Sequence, residues 1–293
     1  MKTAVKVSIP MVLALSAFVA CARLQMPSGE RKMTLQANIG EMTKVETTGN
    51  KSVFLTGDAI TFFAWTGGAD VVPATRVVDG VKNTLGSDGA WTPAMPMLWQ
   101  DMATPHFFLG ISPVRTVTDF AADPYTLNPA DYAASDLLIA TNLPGIKASD
   151  KPVELNFDHA LARLDVNLTF RNQWDTDPTV ASVVATARKT ATVNYLSKTL
   201  TATGTADAVA LTSSSGAAWS GLQVPQEGVR TITIRIGDKN YVFTHTADIP
   251  LAGGKYTTVN LNVGRDKIEL ASAITISNWI AGSTISGGEA QDD

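Results

Sequence analysis

Three histidines are the first residues to weigh for chemistry, and His106, His159 and His245 each stand alone, with no second His or Cys at metal-ligand spacing. A zinc centre needs three or four such ligands converging, so these positions read as loop or core histidines. His159 follows Asp158 and imitates part of a catalytic pair, but no Gly-x-Ser-x-Gly elbow accompanies it to supply a nucleophile. Gly253-Gly-Lys255 has the outline of a phosphate loop, yet Tyr256 stands where a Ser or Thr would hold magnesium, so a hairpin turn is the better reading. Asp175 and Asp177 fall short of a calcium loop because Pro178 follows and neither the later Gly nor the distal Glu is present. Six tryptophans remain, at 65, 91, 99, 174, 219 and 279. An exposed indole can stack on a sugar ring, and Trp91 and Trp99, set among prolines, are the best placed for that. The residues therefore point to no enzyme, no metal and no cofactor, and the chemistry to look for is that of binding.

Composition narrows the class further. The chain has 293 residues, 45% hydrophobic and 17% charged, which suits folded domains and excludes a disordered tail or a coiled coil. At roughly 150 residues per domain, two domains are expected. A net charge of -4 leaves no basic footprint for nucleic acid. The single cysteine, Cys21, can form no internal disulfide.

Cys21 has a different use. Lys2 and Lys6 precede an apolar run from Val7 to Ala20, too short to cross a bilayer as a helix and typical of a secretory signal. Phe18, Val19 and Ala20 before Cys21 resemble the lipobox of bacterial lipoproteins, with Phe18 in place of the usual Leu. Cleavage there would place the thiol at the new N-terminus for acylation (palmitate or a similar chain). At about 0.8 kcal/mol per buried methylene, two or three chains anchor a protein to a membrane without a spanning segment.

The elements that must position any functional residue read as strands. Leu164, Val166, Leu168 and Phe170 alternate with polar residues, as do Ile232, Ile234 and Ile236, and again Val259, Leu261 and Val263. Gly237 and Asp238 mark a hairpin turn into Tyr241–His245. Leu35, Ala37 and Ile39 make a short first strand, and Ile60–Trp65 another after the Gly57-Asp58 turn. Pro93, Pro96, Pro105 and Pro113 place any strands of the aromatic 92–114 segment at an edge or in loops. The pattern predicts an all-β chain of antiparallel sandwiches. The Pro- and Gly-bearing stretch Asn142–Lys151 reads as a linker. The expected organisation is a signal peptide (1–20), a lipidated linker (21–32), an N-terminal sandwich (33–149) and a C-terminal sandwich (150–293).

Several segments, in order, resemble the fimbrillin family of Bacteroidales, the subunits and anchors of type V pili that include Mfa-like and FimB-like lipoproteins. They are Phe54-Leu-Thr-Gly-Asp-Ala-Ile-Thr-Phe-Phe-Ala, Met97-Leu-Trp-Gln-Asp, Phe107-Phe-Leu-Gly-Ile-Ser-Pro113, Asp136-Leu-Leu-Ile-Ala, Val153 to Leu164, and Ile274-Thr-Ile-Ser-Asn-Trp279. The resemblance implies two transthyretin-like β-sandwich domains and a fimbrial subunit, tip or anchor that mediates surface adhesion. It implies assembly with other fimbrial subunits by strand exchange, a cell-surface place at the outer membrane, and contact with a host or bacterial surface ligand. In shaft subunits a trypsin-like protease removes the first strand after a basic residue. Here that strand would be Met33–Gly40, with Leu35, Ala37 and Ile39 as the displaced side chains, and Lys44 stands where Arg is common. The donor would lie within residues 268–285 and include Ile274, Ile276 and Trp279. A competing expectation is a glycan-binding lipoprotein of a polysaccharide-uptake system, which would use Trp91 and Trp99.

Overall fold

The computed structural model describes residues 31–40, 53–142 and 144–279. The expected signal peptide, the acylation site Cys21 and the processing site Lys44 lie outside the described residues.

The N-terminal strands are β1 (Leu35–Ile39), β2 (Ala59–Thr66), β3 (Val78–Leu85), β4 (Trp91–Pro93), β5 (His106–Ser112) and β6 (Asp123–Thr126). A single-turn helix α1 (Tyr132–Ser135) follows, capped by the Asp131 carboxylate, and leads into β7 (Leu138–Thr141) and β8 (Val153–His159). All but β6 form one seven-stranded sheet in the order β1-β8-β7-β5-β2-β3-β4. β2 shows no alternation because residues 60–65 are buried on both faces, as expected of a central strand. Gly57, at φ +92°, supplies the left-handed turn before it that a side chain would resist. β5 corrects the expectation for the proline-rich segment. It sits inside the sheet, hydrogen-bonded to β2 and β7, because Pro105 and Pro113 bracket the strand and remove no donor from its ladder. β4 does lie at an edge. The segment after β7 leads back into this same sheet, through an Ile146–His106 bridge, so β8 pairs with strands that precede residue 142.

The remaining strands are β9 (Ala162–Phe170), β10 (Val180–Ala187), β11 (Thr190–Asn194), β12 (Thr199–Thr203), β13 (Asp207–Ala210), β14 (Thr212–Ser213) and β15 (Ala218–Gln223). After them come β16 (Thr231–Ile236), β17 (Lys239–Thr244), β18 (Lys255–Val263), β19 (Ile268–Leu270) and β20 (Thr275–Asn278). They form sheets β13-β10-β16-β17, β12-β11-β6 and β14-β15-β9-β18-β19, with β20 also on β18. The alternating residues of β9, β16 and β18 bury their apolar members as expected. Gly237, at φ +55°, turns β16 into β17. Most pairs are antiparallel, but β1 with β8 and β9 with β18 run parallel.

Two hydrophobic clusters hold the fold. One contains Met33, Leu35, Ile60, Phe62, Phe108, Val153, Leu155 and Phe157 and lies on one face of the seven-stranded sheet. The other takes Phe63, Trp65, Leu109 and Ile139 from the opposite face and joins them to β9, β10, β16 and β18. A buried polar knot ties the connection after β5 to this second cluster. Asp123 accepts hydrogen bonds from the Tyr195 hydroxyl (2.8 Å), from Thr118 (3.2 Å) and from Arg115 (3.4 Å). Burial pushes the Tyr195 phenol well above its ordinary pKa, so it stays the donor.

Candidate functional site

β1 is the sequence-expected displaced strand, and its seat can be described residue by residue. It pairs in parallel with β8 from Leu35 opposite Val153 to Ile39 opposite Phe157. The flanking amides extend the ladder, with Val153 N–H donating to Thr34 O and Gly40 N–H to Phe157 O, both at 2.8 Å. Just before β1, Met33 N–H donates to Met97 O (2.9 Å) and Trp99 N–H to Arg31 O (3.0 Å). A cavity of about 330 Å³ opens here, lined by Met33, Trp91, Met95 and Met97 among others.

Side-chain direction follows the period-two rule. Met33 and Leu35 are buried in the first cluster, Ala37 and Ile39 pack against it half-buried, and Gln36 is exposed. Full burial of Met33 and Leu35 contributes about 3–6 kcal/mol together. That is comparable with the whole stability of an ordinary domain, about 5–15 kcal/mol. β1 therefore leaves a costly gap unless another strand with the same alternation takes its place.

The gap would be unusually complete because of β8. β7 pairs with β8 only at Leu138–His159 and Ile139–Asp158. Over Val153–Phe157, β1 is the strand partner among the described pairings. The side chains of Leu155 and Phe157 instead fold over Gly110 of β5, so closely that a Cβ on Gly110 would lie 2.7 Å from the Phe157 ring. Phe54 meets that ring edge-on at 5.2 Å and meets Trp91 the same way at 5.2 Å. Loss of β1 exposes a row of backbone donors and acceptors beside an apolar slot, which is the template a foreign strand completes.

The expected donor residues are docked on their own sheet. β20 pairs antiparallel with β18 from Thr275–Thr258 to Asn278–Lys255. All four of its residues are exposed. Ile276 is 42% exposed and Ile274 half-buried, whereas Trp279 is only 6% exposed. The Trp279 amide donates to Gly254 O (2.8 Å), and its indole lies parallel to the His159 ring at 4.1 Å. His159 Nδ1 donates to Asp136 Oδ1 at 2.8 Å, inside the fold. The adjacent Asp158, the partner expected from the sequence, points its carboxylate outward to Lys198 (2.7 Å), and the partner of His159 is Asp136, the residue after α1. Nothing in the local sequence signals this, because Asp136 and Trp279 reach His159 only through tertiary packing.

The other sequence candidates resolve into structural roles. Trp91 and Trp99 are corrected from sugar platforms to core residues: they are 8% and 6% exposed, and Trp99 packs edge-on against His106 (5.0 Å) and Phe108 (5.7 Å). Burial of both side chains in the first cluster outweighs the exposure that the surrounding prolines suggested. Trp174 donates its N–H to Val263 O and has Arg265 over its ring. His106 is fully buried. The Gln100 amide donates to its Nε2 (3.1 Å), so Nδ1 carries the proton toward Thr104 O (2.9 Å), and burial lowers its pKa. His245 is half-buried, with its Nδ1 2.9 Å from Ala247 O. Asp175 pairs with Arg265 (3.3 Å), and Lys255 donates to Asn278. Among the described residues no group of three or more His, Cys, Asp and Glu side chains is arranged around a metal position.

A sequence model described as fimbrillin-like matches residues 43–279. No curated protein matches the chain in sequence. Among solved structures, a proposed cell adhesion protein of Bacteroides uniformis superposes with a TM-score of 0.64 at 18% identity, over 87% of this chain and 100% of that one. A proposed cell adhesion protein of Bacteroides ovatus gives 0.67 at 15% identity, over 87% and 99%. The C-terminally truncated tip fimbrial protein Mfa3 of Porphyromonas gingivalis gives 0.51 at 10% identity, over 76% and 95%. At these identities the likeness is one of fold.

Proposed function

Because this chain belongs to the fimbrillin-like family, we propose that it is a fimbrial subunit, or the tip or anchor of a surface pilus, that mediates adhesion and assembles by strand exchange. The observation that carries the exchange step is the seat of β1. A terminal edge strand, apolar on the core side and hydrogen-bonded over its whole length to β8, joins the rest of the fold through the 41–52 segment that contains Lys44. Cleavage after Lys44 would convert β1 from a tethered strand into a bound peptide. A partner's strand with alternating apolar side chains, drawn from residues 268–285 and including Ile274, Ile276 and Trp279, would then compete for the same ladder and pockets.

In this reading other fimbrial subunits are the partners, acyl chains on Cys21 hold the protein to the outer membrane, and no catalytic step is involved. The division into two sandwiches, 33–149 and 150–293, belongs to the same proposal. What supports it is that the core is two clusters on opposite faces of the seven-stranded sheet; β2, β5 and β7 give side chains to both, and β8, although it follows residue 150, gives its side chains to the first.

The test is polymerisation of the purified protein after digestion with a Lys-specific protease. The expected result is loss of the segment up to Lys44, followed by a ladder of species resistant to mild denaturant, absent from a variant lacking residues 268–293. Monomers that shed the first strand and never polymerise overturn the proposal.

A further inference from the structure

β8 serves both ends of the described chain. Five of its seven residues, Val153–Phe157, pair with β1. Its last residue, His159, carries the Trp279 indole on its ring at 4.1 Å with an interplanar angle of 3°. Val153, Leu155, Phe157 and His159 are all buried and alternate along the strand, so His159 points to the same side as the residues behind β1. From Phe157 to His159 is a rise of about 7 Å.

The C-terminal strand has one deep anchor. Residues 275–278 are exposed, and Trp279 alone of the 275–279 segment is buried. Its indole Nε1 and the second carboxylate oxygen of Asp136 are both buried without a hydrogen-bond partner among the described residues.

We propose that β8 is a shared latch: departure of β1 leaves Val153–Phe157 without a strand partner, shifts His159, unseats Trp279 and so frees β20. A strand lost at one end thereby primes the segment at the other. The latch uses the reading of β1 and β20 as exchanged strands for its purpose, but the coupling itself is a property of the monomer. By linkage it is reciprocal, so unseating Trp279 loosens β1 by the same factor.

Hydrogen–deuterium exchange of the full chain, read by mass spectrometry, tests it. Ala37→Asp places a carboxylate in the middle of β1 on its core side, and Trp279→Ala removes the anchor. Ala37→Asp is expected to raise exchange over residues 275–279 about tenfold, and Trp279→Ala to raise it over 35–39 by a similar factor, with β16 unchanged in both. Ile276→Ser, which alters an exposed residue of β20 and spares the anchor, is expected to leave 35–39 at the wild-type rate. If Ala37→Asp also deprotects β16, the variant is globally unfolded and Trp279→Ala decides. Unchanged exchange over 35–39 in Trp279→Ala overturns the latch, as does unchanged exchange over 275–279 in a folded Ala37→Asp. Polymerisation is a separate readout: coupling without polymers overturns strand donation and keeps the latch, and polymers without coupling do the reverse.

Discussion

Gly110→Ala is the sharpest test of how β8 lies on the seven-stranded sheet. A methyl group at 110 would stand 2.7 Å from Phe157 Cζ, 3.2 Å from Phe157 Cε1 and 3.2 Å from Leu155 Cδ1. Carbon atoms in good contact are about 3.5–4.0 Å apart, so the ring must retreat by about 1 Å. It has little room, since Phe157 is fully buried and Phe54 backs it edge-on. Overpacking of this kind costs about 1–3 kcal/mol. For a protein near this size each kcal/mol lowers Tm by about 2–4 °C, which places the expected fall at about 2–12 °C. The assay is denaturant and thermal unfolding of wild type, Gly110→Ala, Phe157→Leu and the double variant. Phe157→Leu alone destabilises by removing core volume, but in the Gly110→Ala background it makes room for the new methyl. The double variant is therefore expected to be more stable than the sum of the two single losses, by about 0.5–3 kcal/mol. A Gly110→Ala protein as stable as wild type, or strictly additive losses, would refute the packing of β8 over β5 and with it the account of the β1 seat.

Leu35→Ala removes a buried side chain of β1 and is expected to cost about 2–5 kcal/mol; faster proteolytic loss of the first strand, followed by N-terminal sequencing, is the check. Tyr195→Phe deletes one donor to the buried Asp123 carboxylate and is expected to lower unfolding stability by about 1–2 kcal/mol in equilibrium denaturation. His106 makes the fold acid-sensitive. Burial lowers its folded pKa below the ordinary 6.5, so below about pH 6.5 the unfolded chain binds more protons than the folded one. Its contribution is complete above that pH and is lost as the pH falls, with a slope of at most about 1.4 kcal/mol per pH unit. His106→Gln is expected to flatten this part of the stability profile between pH 5 and 6.5, and an unchanged slope would count against the buried neutral imidazole.

The first and last described strands, β1 and β20, are held in different ways. At β1 the cost of leaving is apolar burial plus a full ladder of hydrogen bonds to β8. At β20 the strand residues are exposed and one indole carries the burial, so release needs only a local shift.

Strand identity was legible from residue order wherever one face of a strand meets solvent. Leu35, Ala37 and Ile39, Leu164 to Phe170, Ile232 to Ile236 and Val259 to Val263 announce themselves because alternation is a local consequence of the pleat. The family resemblance, too, was carried by short segments in fixed order. Tertiary structure alone decided which strands pair. The parallel seating of β1 on β8 and of β9 on β18, the central place of β5 between two prolines, the burial of Trp91 and Trp99, and the gathering of Asp136 and Trp279 on His159 all join residues far apart in the chain. A strand's periodicity states that it has an apolar face. Which neighbour covers that face is set by register and packing across the whole fold, and no local pattern of residues encodes it.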